Sequence, residues 1–129
     1  MSEVRLRGQV PFPDGGEGVY LRFTNPDLDN LQAKFGDNYF ADCVPRLNRF
    51  DPKFMRECIA FGGKKDGKPF RIAYDDLDCP QVVTANAILD ALFLAMHGRT
   101  FEGHLDYLEN VRKLEVNDDS GNQSSPASS

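Results

Sequence analysis

The sequence predicts an α+β fold: an N-terminal β-hairpin packed on a bundle of about four or five α-helices, followed by a disordered polar tail. Three observations predict it. A β-branched and aromatic run, Val19-Tyr-Leu-Arg-Phe23, follows the turn-forming Pro11-Phe-Pro-Asp-Gly-Gly16. Two helix-start signals, Thr24-Asn-Pro-Asp27 and Asp51-Pro52, each precede apolar residues at helical spacing. Residues 81–97 then form a helix that is apolar nearly all the way round.

Val4, Leu6 and Val10 alternate with polar residues and read as a first strand. Val19, Leu21 and Phe23 share one face of the second strand, which pairs with the first. A bare hairpin is marginal in water, so this face must pack on helices. At Thr24–Asp27 a polar cap, a proline in the first turn and an acid near the positive helix end open the next element. Leu28, Leu31 and Phe35 give its apolar face, and Gly36 ends it. A short helix is expected within 37–50, kinked or divided at Pro45. Phe54, Met55, Cys58, Ile59 and Phe61 define the helix opened by Asp51, and Gly62-Gly63 closes it.

Gly62 to Lys68 reads as a polar loop, and Phe70 to Tyr74 as a short strand or an extended link. Asp78 is the expected cap of the long helix, with Pro80 in its first turn. Val82, Ala85, Ile88, Leu89, Leu92 and Met96 fill one arc of that helix, assigned to the core. Val83, Ala87, Ala91 and Leu94 form a second arc, and Asn86, Asp90 and His97 a polar stripe. Gly98 ends the helix, and Thr100 opens a last one with Phe101, Leu105, Leu108, Val111 and Leu114 on one face. From Val116 onward the chain holds too little apolar surface to offset its ordering entropy. The expected organisation is therefore one globular domain over 1–115 and a flexible tail over 116–129.

Composition narrows the function. The formal net charge of -5 argues against nucleic acid as a partner, because phosphate binding needs clustered Lys and Arg. The 81–97 segment is interrupted by Asn86 and Asp90, so it is not expected to span a membrane. No apolar targeting segment is evident at Met1–Arg7. Cys43, Cys58 and Cys79 are an odd set without a Cys-x-x-Cys pair, which points to reduced thiols in a cytosol.

Candidate chemistry is sparse. Gly62-Gly-Lys-Lys-Asp-Gly-Lys68-Pro69 matches much of the phosphate-loop pattern but ends in Pro69, which has neither a hydroxyl for magnesium nor an N–H for phosphate. Asp75, Asp76 and Asp78 lack calcium-loop spacing. His97 and His104, the two histidines, form no zinc motif with the scattered thiols. Cys58 reads as a small core hydrophobe. Serines concentrate in the tail, so no scaffolded nucleophile is available. The chain is expected to be no enzyme and to use no cofactor. The helix over 81–97 has more apolar surface than a core helix needs, and Phe93 lies beside its polar stripe. Phe93, with Leu94, Val83 and His97, is therefore the expected partner-binding set.

The order of these elements resembles a family. Tyr20-Leu-Arg-Phe-Thr24 precedes Leu28-Asp-Asn-Leu-Gln-Ala-Lys-Phe-Gly36, then come a helix closed by Gly62-Gly63, Asp75-Asp-Leu77, Ile88-Leu-Asp-Ala-Leu-Phe-Leu-Ala95 and His97-Gly-Arg99. This pattern is similar to the small tail assembly chaperones of long-tailed phages and gene transfer agents, over roughly residues 17–99. The chain departs from them in its Ser-rich tail and in the added amphipathic helix over 101–114. The resemblance implies a non-enzymatic protein of the host cytoplasm that coats the tape measure protein and brings tail tube subunits to it. It carries over no catalytic residue, and self-association is compatible with it. The alternative is a small structural virion protein, such as a head–tail connector or tail completion protein. A toxin-binding regulator is a third reading compatible with the charge.

Overall fold

Strand formation begins where β-branched and aromatic residues alternate, and strand β2 (Val19–Leu21) is the hub of the sheet. The computed structural model describes residues 8–122, with side chains for 8–115. Val4 and Leu6 of the expected first strand, and residues 123–129 of the expected tail, lie outside the described residues. Strand β1 (Val10–Pro11) pairs antiparallel with β2, Val10 opposite Leu21, which is the expected hairpin. The other edge of β2 pairs with β3 (Gly63–Lys65), Tyr20 opposite Lys64, and β3 pairs with β4 (Lys68–Pro69). The sheet order is β1-β2-β3-β4, antiparallel throughout.

The segment expected as a polar loop, Gly62 to Lys68, is thus a second hairpin. Asp66 and Gly67 both have positive φ, 55° and 79°, as a two-residue type I′ turn requires. The Gly67 N–H donates to the Tyr20 hydroxyl at 2.9 Å, pinning the turn to β2. Gly63 has no room for a side chain: a Cβ there would lie 2.5 Å from the Phe70 carbonyl oxygen. Phe70 to Ala73 is an extended link, with Ile72 buried, and a 3-10 turn follows at Tyr74–Asp76.

Helix α1 (Asn25–Phe35) starts at Thr24 with a reciprocal capping box. The Asp27 N–H donates to Thr24 Oγ1 at 3.4 Å, and the Thr24 N–H donates to Asp27 Oδ2 at 2.9 Å. Asp27 also receives Lys64 Nζ at 3.0 Å, and Lys64 donates to the Phe61 carbonyl at 2.7 Å. Lys64 is buried, so this pair ties β3 to the start of α1. Within 37–50 only Cys43–Asn48 is helical, as α2. Helix α3 (Pro52–Gly62) is capped by Asp51, whose carboxylate accepts from Lys53 N and Phe54 N. Phe35 of α1 meets Phe54 of α3 edge-on, ring centres 5.0 Å apart.

Helix α4 (Gln81–His97) is the central rod. It touches α2, α3, β1, β2 and the last helix, α5 (Phe101–Asn122), which explains its broad apolar circumference. Ala85, Ala87 and Ala91 are buried among the larger Ile88, Leu89 and Leu92, so small residues let neighbouring elements approach. Two assignments to its core arc are corrected: Val82 and Met96 are exposed. They lie near the two ends of the rod, where an arc that is buried at mid-helix runs out of neighbours. Asp78 does not cap α4. Pro80 occupies the N-cap position, with no side-chain cap bond there. The helical backbone of α5 passes the expected boundary at 115 and runs to Asn122.

Candidate partner-binding surface

The corner between α4 and α5 is built by Asp90, from the polar stripe of α4, and by Thr100. Asp90 Oδ1 accepts the Phe101 N–H at 3.2 Å, and Thr100 Oγ1 accepts the Gly103 N–H at 3.1 Å. Both bonds satisfy amides at the start of α5 that no helical carbonyl can reach. Gly98, at φ 74°, supplies the left-handed residue that ends α4 and lets the chain reverse. Asn86 is exposed on α4, and His97 sits in its last turn.

Rings fill the corner. Phe93 lies among Phe40, Phe101, His104 and His97, with ring centres 5.0, 5.1, 5.5 and 5.6 Å away. His97 and His104 stack at 4.1 Å with an interplanar angle of 14°. The Arg99 guanidinium lies 3.8 Å from the Tyr107 ring centre, and Tyr107 continues the stack onto His104. His104 Nδ1 is buried with no hydrogen-bond partner. Burial, followed by the charges of His97 and Arg99, holds the His104 pKa below its ordinary value of 6.5.

The expected partner-binding residues do not form one patch. Phe93 is 6% exposed and belongs to the core, which corrects its placement at a surface margin. Phe40, from the turns before α2, and Phe101 and His104 of α5 shield it, and no periodicity within α4 reveals their positions. Leu94 is half-buried. Val83 and His97 are exposed but stand about 21 Å apart along α4, at 1.5 Å per residue.

The exposed apolar surface lies mainly on α5. Beyond His104 every described side chain of this helix except Val111 is exposed. Leu105 is 47%, Leu108 48%, Leu114 64% and Tyr107 43% exposed. Their spacing explains why they cannot all face the core. Residues 105, 108, 111 and 114 recur every third position, so each step turns the apolar direction back by about 60°. The row sweeps half of the helix circumference, and packing against α4 covers only part of it. Sequence analysis placed these leucines on a single face. The drift of an i+3 row was the signal that would have exposed them.

Burial pushes the Cys43 thiol up to about 12 and the Cys58 thiol well above its ordinary range, so neither is a thiolate at neutral pH. Asp75 is engaged by Arg56 at 2.9 Å, a hydrogen bond and charge that hold its carboxyl below the usual range. Among the described residues, no group of three His, Cys, Asp or Glu could hold a metal ion. The glycine- and lysine-rich segment forms the β3–β4 hairpin, not the strand-to-helix turn that cradles phosphates. An open groove of about 850 Å³ between α3 and residues 69–76 is lined by Arg56, Ile59, Phe70 and Tyr74. Its Arg56 is occupied by Asp75 and lies over the Tyr74 ring. No helix among the described residues is long and apolar enough to cross a membrane.

No family model, no curated protein and no solved structure matches this chain. The geometry therefore speaks for itself, and what it offers is apolar helix surface presented to solvent beside a closed core.

Proposed function

We propose that this protein is a non-enzymatic tail assembly chaperone of a long-tailed phage or gene transfer agent. In this reading it works in the host cytoplasm, binds the tape measure protein and helps recruit tail tube subunits. The observation that carries the reading is the exposed pair Leu105 and Leu108 on α5, beside a domain that has its own buried core. A shielding protein needs such surface: apolar enough to cover a partner's apolar stripe, and framed by charge so that the complex stays in solution. The order of hairpin, capped helix, glycine-closed helix and alanine-rich central helix supports the family reading.

The test is co-expression with a phage tape measure protein. The wild-type chain is expected to keep that protein soluble and to be missing from purified particles. A chain retained in the particles would make it a connector or completion protein instead. Failure to keep any tape measure protein soluble would remove the proposal's main support.

A further inference from the structure

The leucines of α5 do not stand in a neutral surround, and the charge beside them selects the kind of chain they receive. Leu105 and Leu108, three residues apart, form one ledge. Within about 100° of Leu105 the same helix projects Glu102, Asp106, Glu109 and Glu115 against Arg112 and Lys113, a net-acidic surround. Arg112 and Glu109 hold each other at 2.7 Å, which leaves Glu102, Asp106 and Glu115 against Lys113 around the ledge. The whole helix carries Glu102, Asp106, Glu109, Glu115, Asp118 and Asp119 against Arg112 and Lys113. Apolar anchors on a net-acidic helix face form the complement of an amphipathic helix whose apolar stripe is bordered by Lys or Arg.

We propose that the exposed face of α5 around Leu105 and Leu108 docks a cationic amphipathic helix of another protein. The assignment rests on the chaperone reading above, because it takes the captured ligand to be a polypeptide. Charge excludes the other occupants. A second copy would bring two α5 helices together, each with six acids and two bases, inside a chain of formal charge -5. An anionic lipid surface is repelled for the same reason, since interfacial helices carry Lys and Arg around their apolar face. Capture by this surface is therefore expected to be selective for basic partners and weakened by salt, as exposed charge pairs are screened.

The probe is a matched pair of fluorescent helical peptides with the same Leu/Ala stripe, one with lysines and one with glutamates on the polar face. Anisotropy with the full chain is expected to show at least roughly tenfold tighter binding of the lysine peptide at low salt, with the difference shrinking at high salt. The paired substitution Leu105→Asp with Leu108→Asp is expected to abolish binding. Both residues are exposed, so the melting temperature and helical content should hold, and each is checked. Asp106→Lys with Glu109→Lys keeps the leucines and is expected to reverse the peptide preference. Equal affinity for the two peptides, or no binding of either, overturns the proposal. So does a sedimentation dimer that Leu105→Asp with Leu108→Asp dissolves, or binding to anionic vesicles in place of the lysine peptide. Parallel co-expression separates the two readings. A tape measure protein kept soluble by a chain that ignores the lysine peptide defeats the cationic-helix assignment alone. A chain that captures the peptide but leaves the tape measure protein insoluble defeats the chaperone reading and leaves the assignment standing.

Discussion

At the scale of single residues, Phe50 carries backbone strain. Helix α2 ends with Phe50 N–H bonded to the Leu47 carbonyl and Asp51 N–H to the Arg46 carbonyl, the paired bonds of a Schellman ending. That ending places Phe50 at φ 53°, in the left-handed region that costs an L residue roughly 1–2 kcal/mol. The ring does not repay this through burial, since it is among the exposed apolar side chains. Phe50→Gly is expected to stabilise the fold by about 0.5 kcal/mol after the added chain entropy of glycine is subtracted. Phe50→Ala keeps the strain, loses the ring and should be destabilising. Urea midpoints of the two variants, moving in opposite directions from wild type, check the account. His104 gives a second test, in pH. Its folded pKa is lowered, so the native state binds fewer protons than the unfolded chain. Its contribution to stability is therefore present above pH 6.5 and lost as the pH falls below that value. Protonation places a cation against the His97 ring, stacked at 4.1 Å, and near the Arg99 guanidinium. Protection factors along the first turns of α5, with exchange corrected for its intrinsic pH dependence, should fall as the pH drops below 6.5. His104→Leu should remove that dependence. The Asp75 carboxyl, held below its ordinary 3.8, titrates too low to interfere.

At the scale of elements, local chemistry was readable wherever it acts within a few residues. Thr24 and Asp51 cap α1 and α3 as their side chains require, and Gly36, Gly63 and Gly98 flank helix ends. Where an element depends on a distant partner, the reading failed. Strands β3 and β4 have three and two residues, too short for any alternation to register, and Lys64-Lys65 reads as solvated. Two facts elsewhere in the chain make the strand: β2 offers its open edge, and Asp27 waits for the Lys64 ammonium. One local signal is present in the sequence, the Asp66-Gly67 pair that type I′ turns favour. The Lys64–Asp27 pair gives this scale its prediction. Asp27→Ala strips the capping box from α1 and leaves a buried ammonium with only the Phe61 carbonyl, so it should cost roughly 3–5 kcal/mol. Lys64→Met removes the charge that needs a partner and should cost much less, because Asp27 keeps its bonds to Thr24. Thermal melts that rank Lys64→Met below Asp27→Ala would break this account of the α1–β3 tie.

At the scale of the whole molecule, one helix is saturated with neighbours and the next is nearly bare, and that contrast links folding to function. Helix α4 meets the sheet on one side and α2, α3 and α5 on others, so its apolar circumference is used internally. The same circumference suggested a partner surface when α4 was considered alone. The third dimension moves the available surface one helix along the chain, to α5, which docks through Phe101 and His104 and presents its leucines outward. Two equal truncations measure this division. Leu92 is fully buried, and Leu92→Ala should cost about 2–5 kcal/mol, the lost transfer energy plus the cavity left at the centre of the bundle. Leu108 is 48% exposed, and Leu108→Ala should change stability by no more than about 0.5 kcal/mol. Capture of a partner should respond in the reverse order, with Leu92→Ala binding normally at temperatures where it remains folded and Leu108→Ala binding more weakly. Chemical denaturation and a solubility assay on the same two proteins read both halves. If Leu108→Ala lost stability on the scale of Leu92→Ala, α5 would be part of the core and its leucines would be committed to folding. If the two variants captured the partner equally well, the surface that shields it would have to be sought away from α5.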